Sequence, residues 1–433
     1  MKSTMIRIAA AACLAVPFCL TPAARAQGPL TPPGAPAPMM RTLVQVEPRT
    51  PIAFAGHTIT QPGSYYLTTN LVTDWDGVII NANGVTLDLM GFALTGRREN
   101  FGLGITLQGA TNAPIQDVVV RNGIIRNFYY GVIVQYGQNC RFEHLSVSSN
   151  SYVGIELDGA WYGSCDGNTI ADCTFSDNDS HNIYLLGYAG RCNGNAIINC
   201  TMIGSNYSLY LHGREAPGLC NGNIVTGCRI LRSSYAGIFL DGSTSGKCRG
   251  NIFTGCTIRD NGGQGILFYG QSGLCEGNIV TDCAVNNNAN YGIELNGAAS
   301  GQCIGNTVAN CTVSDNGSYG LYLNAASSSG VCDGNVIAGC TVRENTTRGI
   351  SLSYADGNRV EGNHISGQTG SSTYGIYCSG TSGNLFFRNT CVGQTNNFSL
   401  SANDTYGPIV TNKGALPTTS GNAAVSPWAN FSR

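Results

Sequence analysis

The sequence predicts an all-β chain: a single-stranded right-handed parallel β-helix of about eleven or more coils, with disulfide-clamped loops. Three observations predict it. A Gly followed by alternating apolar residues recurs at intervals of 23 to 29 residues. A Gly-Asn pair recurs in phase with that motif. Seven of the repeats also carry two cysteines at one fixed spacing.

The chain opens with features of an export signal. Lys2 and Arg7 precede an apolar run, Ile8 to Leu20, too short to span a bilayer. Ala24-Arg25-Ala26 is a small-x-small cleavage site, so residues 1–26 are expected to be removed. Cys13 and Cys19 leave with them. A secreted, periplasmic or cell-surface location follows, where disulfides are permitted. Residues 27–56 are Pro-rich and expected to be a linker. Residues 57–403 are assigned to the β-helix with its N-terminal cap. Residues 404–433 are assigned to a C-terminal capping tail, because open strand edges invite aggregation. No later segment is apolar enough to span a membrane.

The repeat is G-[IL]-x-[LF]. It occurs at residues 154–157, 237–240, 265–268, 292–295, 320–323 and 349–352, with variants at 104–107, 131–134, 182–185, 208–211 and 375–378. A period this short, with apolar alternations of only a few residues, leaves no room for a helix pair. It fits three short strands per coil. The Gly-Asn pairs, such as Gly167-Asn168 and Gly194-Asn195, mark a bend. Gly permits positive φ there, and stacked Asn side chains can hydrogen-bond from coil to coil.

Seven coils carry C-x7-C: Cys165 and Cys173, Cys192 and Cys200, Cys220 and Cys228, Cys248 and Cys256, Cys275 and Cys283, Cys303 and Cys311, Cys332 and Cys340. The first Cys lies three residues before the Asn. These coils have a long loop before the Asn, whereas the coils of Leu352 and Cys378 have a short loop and no such pair. Each pair is therefore expected to be one disulfide pinning a loop to its own coil, worth roughly 2–3 kcal/mol. Cross-coil bonding of Cys173 to Cys192 would orphan Cys165 and Cys340. Zinc-type spacing is lacking. Cys378 and Cys391 remain to pair with each other, with Cys140 as an odd thiol.

On the GIxL strand the third residue points outward, as does the residue two further on. The first column includes Glu156, Tyr184, Tyr210, Phe239, Glu294 and Tyr322, and the second Asp158, His212, Asp241 and Tyr269. Aromatic rings with acids and amides suit a polysaccharide, since sugar rings stack on aromatics. The plainer reading is that Tyr covers a sheet face because aromatics favour strands. Glu156 and Asp158 form a candidate acid pair of the glycosidase type. His212 and Asp241, on adjacent coils, form a candidate oriented base, with Arg214 nearby as a cation. Solvated outward side chains are the plain alternative for all four. A row of Asp177, Asp260, Asp315 and Glu344 raises calcium. Its members are not on consecutive coils, so solvated turns are expected and no cofactor or metal is assigned.

ITQPGSYYLTTNL (residues 59–71), GVTLDLMGFALTG (84–96), the Gly-Asn coils and PWANFS (427–432) resemble the secreted right-handed parallel β-helix repeat proteins of bacteria. They belong to the pectate-lyase-like superfamily. The resemblance covers nearly all of the chain beyond the signal and implies the fold. The superfamily includes pectate lyases, polygalacturonases, alginate epimerases and periplasmic β-helix proteins linked to copper-enzyme maturation. Gly-His-Gly, Arg-Ile-Lys and Asp-Pro-His-Asp, which mark its enzymes, are missing, so no catalytic residue carries over.

Composition narrows the function. Net charge is −2 and charged residues make up 11%, which argues against nucleic acid as partner. Hydrophobic content of 42% argues against disorder. Few Met and His, and cysteines expected to be paired, argue against copper handling. Two readings stay open. One is a secreted monomer that binds an extracellular polysaccharide along the aromatic face, with or without cleavage as a lyase or glycoside hydrolase. The other is a non-catalytic structural or adhesive surface protein.

Overall fold

The computed structural model describes residues 48–98, 101–159, 161–297, 299–325, 329–411 and 426–433. The expected signal, residues 1–26, and residues 27–47 of the expected linker lie outside them. Every regular element among the described residues is a strand. The chain is the right-handed parallel β-helix that the repeat predicts. The first strand, Thr50–Ile52, pairs with Gly63–Leu67, so the coils begin within the segment assigned to the linker.

A typical coil runs through three strands, for example Thr169–Ala171, Thr174–Ser176 and His181–Leu186. The third strands stack into a parallel sheet of 14 strands. The first two strands of each coil stack into the walls of a sheet of 28. The inserted loops add a small sheet of their own, Lys247–Arg249, Leu274–Glu276 and Gln302–Ile304. The C-terminal residues continue the stack: Thr405 aligns with Leu385 and Phe431 with Thr390.

The core is the tube interior. Ile155, Leu157, Ile170 and Phe175 of one coil are wholly buried, and their counterparts repeat coil after coil. Polar atoms inside are paired along the axis. Asn168 Oδ1 accepts from the Cys140 amide, and the Asn168 amide donates to Asn195 Oδ1 at 2.8 Å. The ladder continues through Asn223, Asn251, Asn278, Asn306, Asn335, Asn358 and Asn384 to Asp404. The two recurrent glycines differ in cause. Gly167 has φ of 68°, which a bend demands. Gly265 is needed for closeness, because a Cβ there would lie 2.7 Å from the Gly292 oxygen on the next coil.

The cysteines correct the disulfide expectation. All seventeen described cysteines are free and buried. The members of a C-x7-C pair flank the first short strand, as Cys165 and Cys173 flank Thr169–Ala171. That strand spans ~10 Å, whereas bridged Cα atoms lie within about 7 Å. Each cysteine instead stacks on its counterpart in the next coil. Cys248 aligns with Cys275, and Cys275 with Cys303. Cys378 and Cys391 lie in different sheets, aligned with Leu352 and Ile365.

Candidate functional site on the outer sheet

Strand register places the outward columns as the repeat implies. Glu156 aligns with Tyr184, then Tyr210, Phe239, Leu267, Glu294 and Tyr322 on successive coils. Asp158 aligns with Leu186, His212, Asp241, Tyr269 and Asn296. Neighbouring coils are only about 4.8 Å apart, so large side chains on this face cover one another. Glu156, Tyr184, His212, Phe239, Asp241 and Glu294 all point outward and are nonetheless buried.

The aromatic strip is a stack. Ring centroids of Tyr184 and Tyr210 are 5.1 Å apart, and those of Tyr210 and Phe239 4.9 Å. His181 and Tyr207 join from a third column. Much of the ring surface expected to meet sugars therefore meets other rings. Tyr269 and Tyr322 are half-buried and keep more of their surface open.

Glu156 is the register partner of Tyr184, and its charge helps to raise Tyr130, Tyr152 and Tyr184. Its Oε2 is buried with no hydrogen-bond partner. Burial, then the charge of Asp158, push its carboxyl well above the usual range. Its acidity is thus weakened, two residues from the more open Asp158 on the same strand.

His212 and Asp241 are register partners, but their hydrogen bonds go elsewhere. His212 Nδ1 lies 2.5 Å from the Tyr184 hydroxyl. Asp241 accepts from the Tyr210 hydroxyl at 2.7 Å and from the Ser243 amide at 2.9 Å. The expected His–Asp base is therefore split between two tyrosines. Burial lowers His212 to about 4, so the ring is neutral near pH 7. The Tyr184 hydroxyl and Nδ1 share one hydrogen bond, while Nε2 is buried without a partner.

The inserted loops wall one side of this patch. Tyr188 packs edge-on to His212 at 6.0 Å and to exposed Trp161 at 5.2 Å. Arg214 Nε donates to Thr244 Oγ1 at 3.2 Å. An open cavity of about 470 Å³ lies where wall meets sheet, lined by Arg214, Asp241, Ser243, Thr244, Tyr269, Gln271 and Ser272. The sequence reading missed Trp161, Tyr188 and His181. His181 was visible in the repeat, since it fills the column occupied by Tyr130, Tyr207 and Tyr319 in other coils.

The other predicted residues are engaged locally. Glu294 accepts from Gln264 at 2.7 Å and Asn296 at 3.0 Å. Asp177, Asp260, Asp315 and Glu344 occupy left-handed turn positions. Arg259 pairs with Asp260, and Arg343 with Glu344.

A family model described as "Periplasmic copper-binding protein (NosD)" matches residues 80–274, 186–342 and 260–422. The chain belongs to the NosD family. No curated protein matches it. Among solved structures it is similar to the A-module of the Azotobacter vinelandii mannuronan C-5 epimerase AlgE4, at 16% identity and a TM-score of 0.47, covering 79% of this chain and 91% of that one. It is also similar to the periplasmic alginate epimerase AlgG, at 12% identity and a TM-score of 0.46, covering 84% and 77%.

The NosD description names copper. No three His, Cys, Asp or Glu among the described residues converge on a point that could hold a metal. The thiols run in rows along the axis, and His181 and His212 are stacked among tyrosines. These donors do not fit a three- or four-ligand copper site. No helix among the described residues is long and apolar enough to cross a membrane.

Proposed function

We propose that this chain, extracytoplasmic as the family description has it, binds a polysaccharide across the outer sheet between the loop wall and the aromatic stack. The cavity beside Arg214 and Tyr269 carries this reading. It joins one cation, one carboxylate, hydroxyls, an amide and a half-open ring, the mixture that sugar hydroxyls and ring faces require. Coils repeating at about 4.8 Å extend that mixture toward Trp161, as a linear polymer requires. Glu156, its acidity weakened by burial, stands beside Asp158 and supplies the two carboxyl groups that glycosidic cleavage uses.

Affinity electrophoresis of the mature protein through a panel of neutral and uronate polysaccharides tests the reading. At least one polymer should retard it, and Tyr269→Ala should weaken that retardation about tenfold. No retardation by any polymer sinks the proposal. New reducing ends or unsaturated uronate, lost in Glu156→Gln, would add cleavage to binding.

A further inference from the structure

The seven C-x7-C pairs separate into two ladders inside the tube. One holds Cys165, Cys192, Cys220, Cys248, Cys275, Cys303 and Cys332, and the other Cys173, Cys200, Cys228, Cys256, Cys283, Cys311 and Cys340. Members of a ladder are in-register neighbours of parallel strands or bends. The amide of the residue after each second-ladder cysteine bonds the preceding cysteine's oxygen, as Thr201 does to Cys173 and Arg229 to Cys200. Neighbouring Cα atoms in such a stack are about 4.8 Å apart, inside the window of about 4.4–6.8 Å that a disulfide accepts.

Side-chain contacts select among neighbours. In the second ladder each thiol touches the next, from Cys173 through Cys200, Cys228, Cys256, Cys283 and Cys311 to Cys340. In the first, the strongest thiol–thiol interactions link Cys165 with Cys192, Cys248 with both Cys220 and Cys275, and Cys303 with Cys332. We propose that the two ladders are sites of coil-to-coil disulfide formation, with Cys165–Cys192 and Cys303–Cys332 as fixed bridges of the first.

A seven-member ladder closes at most three neighbour bridges, so one thiol stays reduced in each. In the first ladder that thiol is Cys220 or Cys275, since Cys248 bonds only one of them. The thiols are almost wholly buried, so bridging belongs to folding in an oxidising compartment rather than to attack on the finished tube. A small-molecule disulfide is a sufficient oxidant. One protein thiolate displaces one thiolate of that oxidant, giving a mixed disulfide. The neighbouring protein thiolate attacks the protein sulfur and expels the second. Two protein thiols are oxidised, one oxidant disulfide is reduced to two thiols, and the two protons go to those thiols.

The full chain, denatured and reduced, is refolded in a buffer of reduced and oxidised glutathione. The refolded chain is then unfolded in denaturant containing the alkylating reagent, and the bridged peptides are mapped without reduction. Peptides joining Cys165 to Cys192 and Cys303 to Cys332 are expected, with Cys140 alkylated. Complete alkylation in a chain of native strand content would overturn the proposal, as would a Cys165–Cys173 bridge or bridges between non-neighbouring coils. Cys192→Ser gives an independent reading: Cys165 should become fully alkylatable. A new bond from Cys165 to Cys173 there would equally refute coil-to-coil pairing.

Discussion

Glu156 and Glu294 stand in the same tetrapeptide, Gly-Ile-Glu-Leu, on the same column of the same sheet. Both carboxyls are buried, at 3% and 4% exposure. Their surroundings differ by what adjacent coils supply. Glu294 receives hydrogen bonds from Gln264 and Asn296. Glu156 has Tyr184 as its register partner and Asp158 two residues on, with Oε2 unpartnered. The comparison teaches that in a solenoid the local motif fixes where a side chain points. The coils above and below fix its chemistry.

The largest expected effect comes from Glu294, whose hydrogen bonds can be broken. Glu294→Met removes the acceptor of the buried Gln264 amide and should destabilise the protein by about 1–3 kcal/mol. Urea unfolding should show a lower midpoint at unchanged slope. An unchanged midpoint would mean that the Gln264 contact contributes nothing, and the contrast between the two glutamates would collapse.

Titration sharpens the comparison next. The folded-state pKa of Glu156 is raised by burial and Asp158. Its stabilising contribution is therefore complete below the ordinary value of 4.5 and is lost as pH rises through the raised one. Glu294 is raised too, but hydrogen bonds from Gln264 and Asn296 oppose the shift. Glu156→Gln should thus flatten more of the decline above pH 4.5 than Glu294→Gln does, read from unfolding midpoints against pH. Equal flattening would refute the difference. The histidines set the opposite limb. His181 is lowered to about 3 and His212 to about 4 from 6.5, so their contribution is present above 6.5 and lost as pH falls through those values. His181→Phe should remove part of that acid loss.

Much of the interior was legible because it repeats. The period, the inward Ile and Leu, and the Asn ladder all follow from spacing along the sequence, since each coil restates them. The outer columns were legible as directions only. Alternation places Glu156 outside the tube but does not say that neighbouring coils bury it. Register places His212 beside Asp241, yet the Tyr184 and Tyr210 hydroxyls, which take their hydrogen bonds, come from preceding coils. The cysteines were misread for a related reason. Cys165 and Cys173 are near in sequence but held apart by an extended strand, whereas Cys173 and Cys200 touch across a whole coil.

The smallest effect has the most direct bearing on function, because its sign should be opposite to that at Glu294. Methionine at position 156 would remove a buried carboxyl whose Oε2 has no partner, and would fill similar space with apolar atoms. Glu156→Met should therefore raise stability by about 1 kcal/mol, measured as a higher urea midpoint at neutral pH. The gain should shrink toward pH 4.5, where the wild-type carboxyl is protonated in the unfolded chain as well. A folded chain improved by losing an acid holds that acid against its own stability, as sites of chemistry do. The Glu294 substitution offers no such gain, because its carboxylate is knitted into the sheet. A lower midpoint for Glu156→Met would show that Glu156 too is structural, and would remove the proton donor from the polysaccharide face.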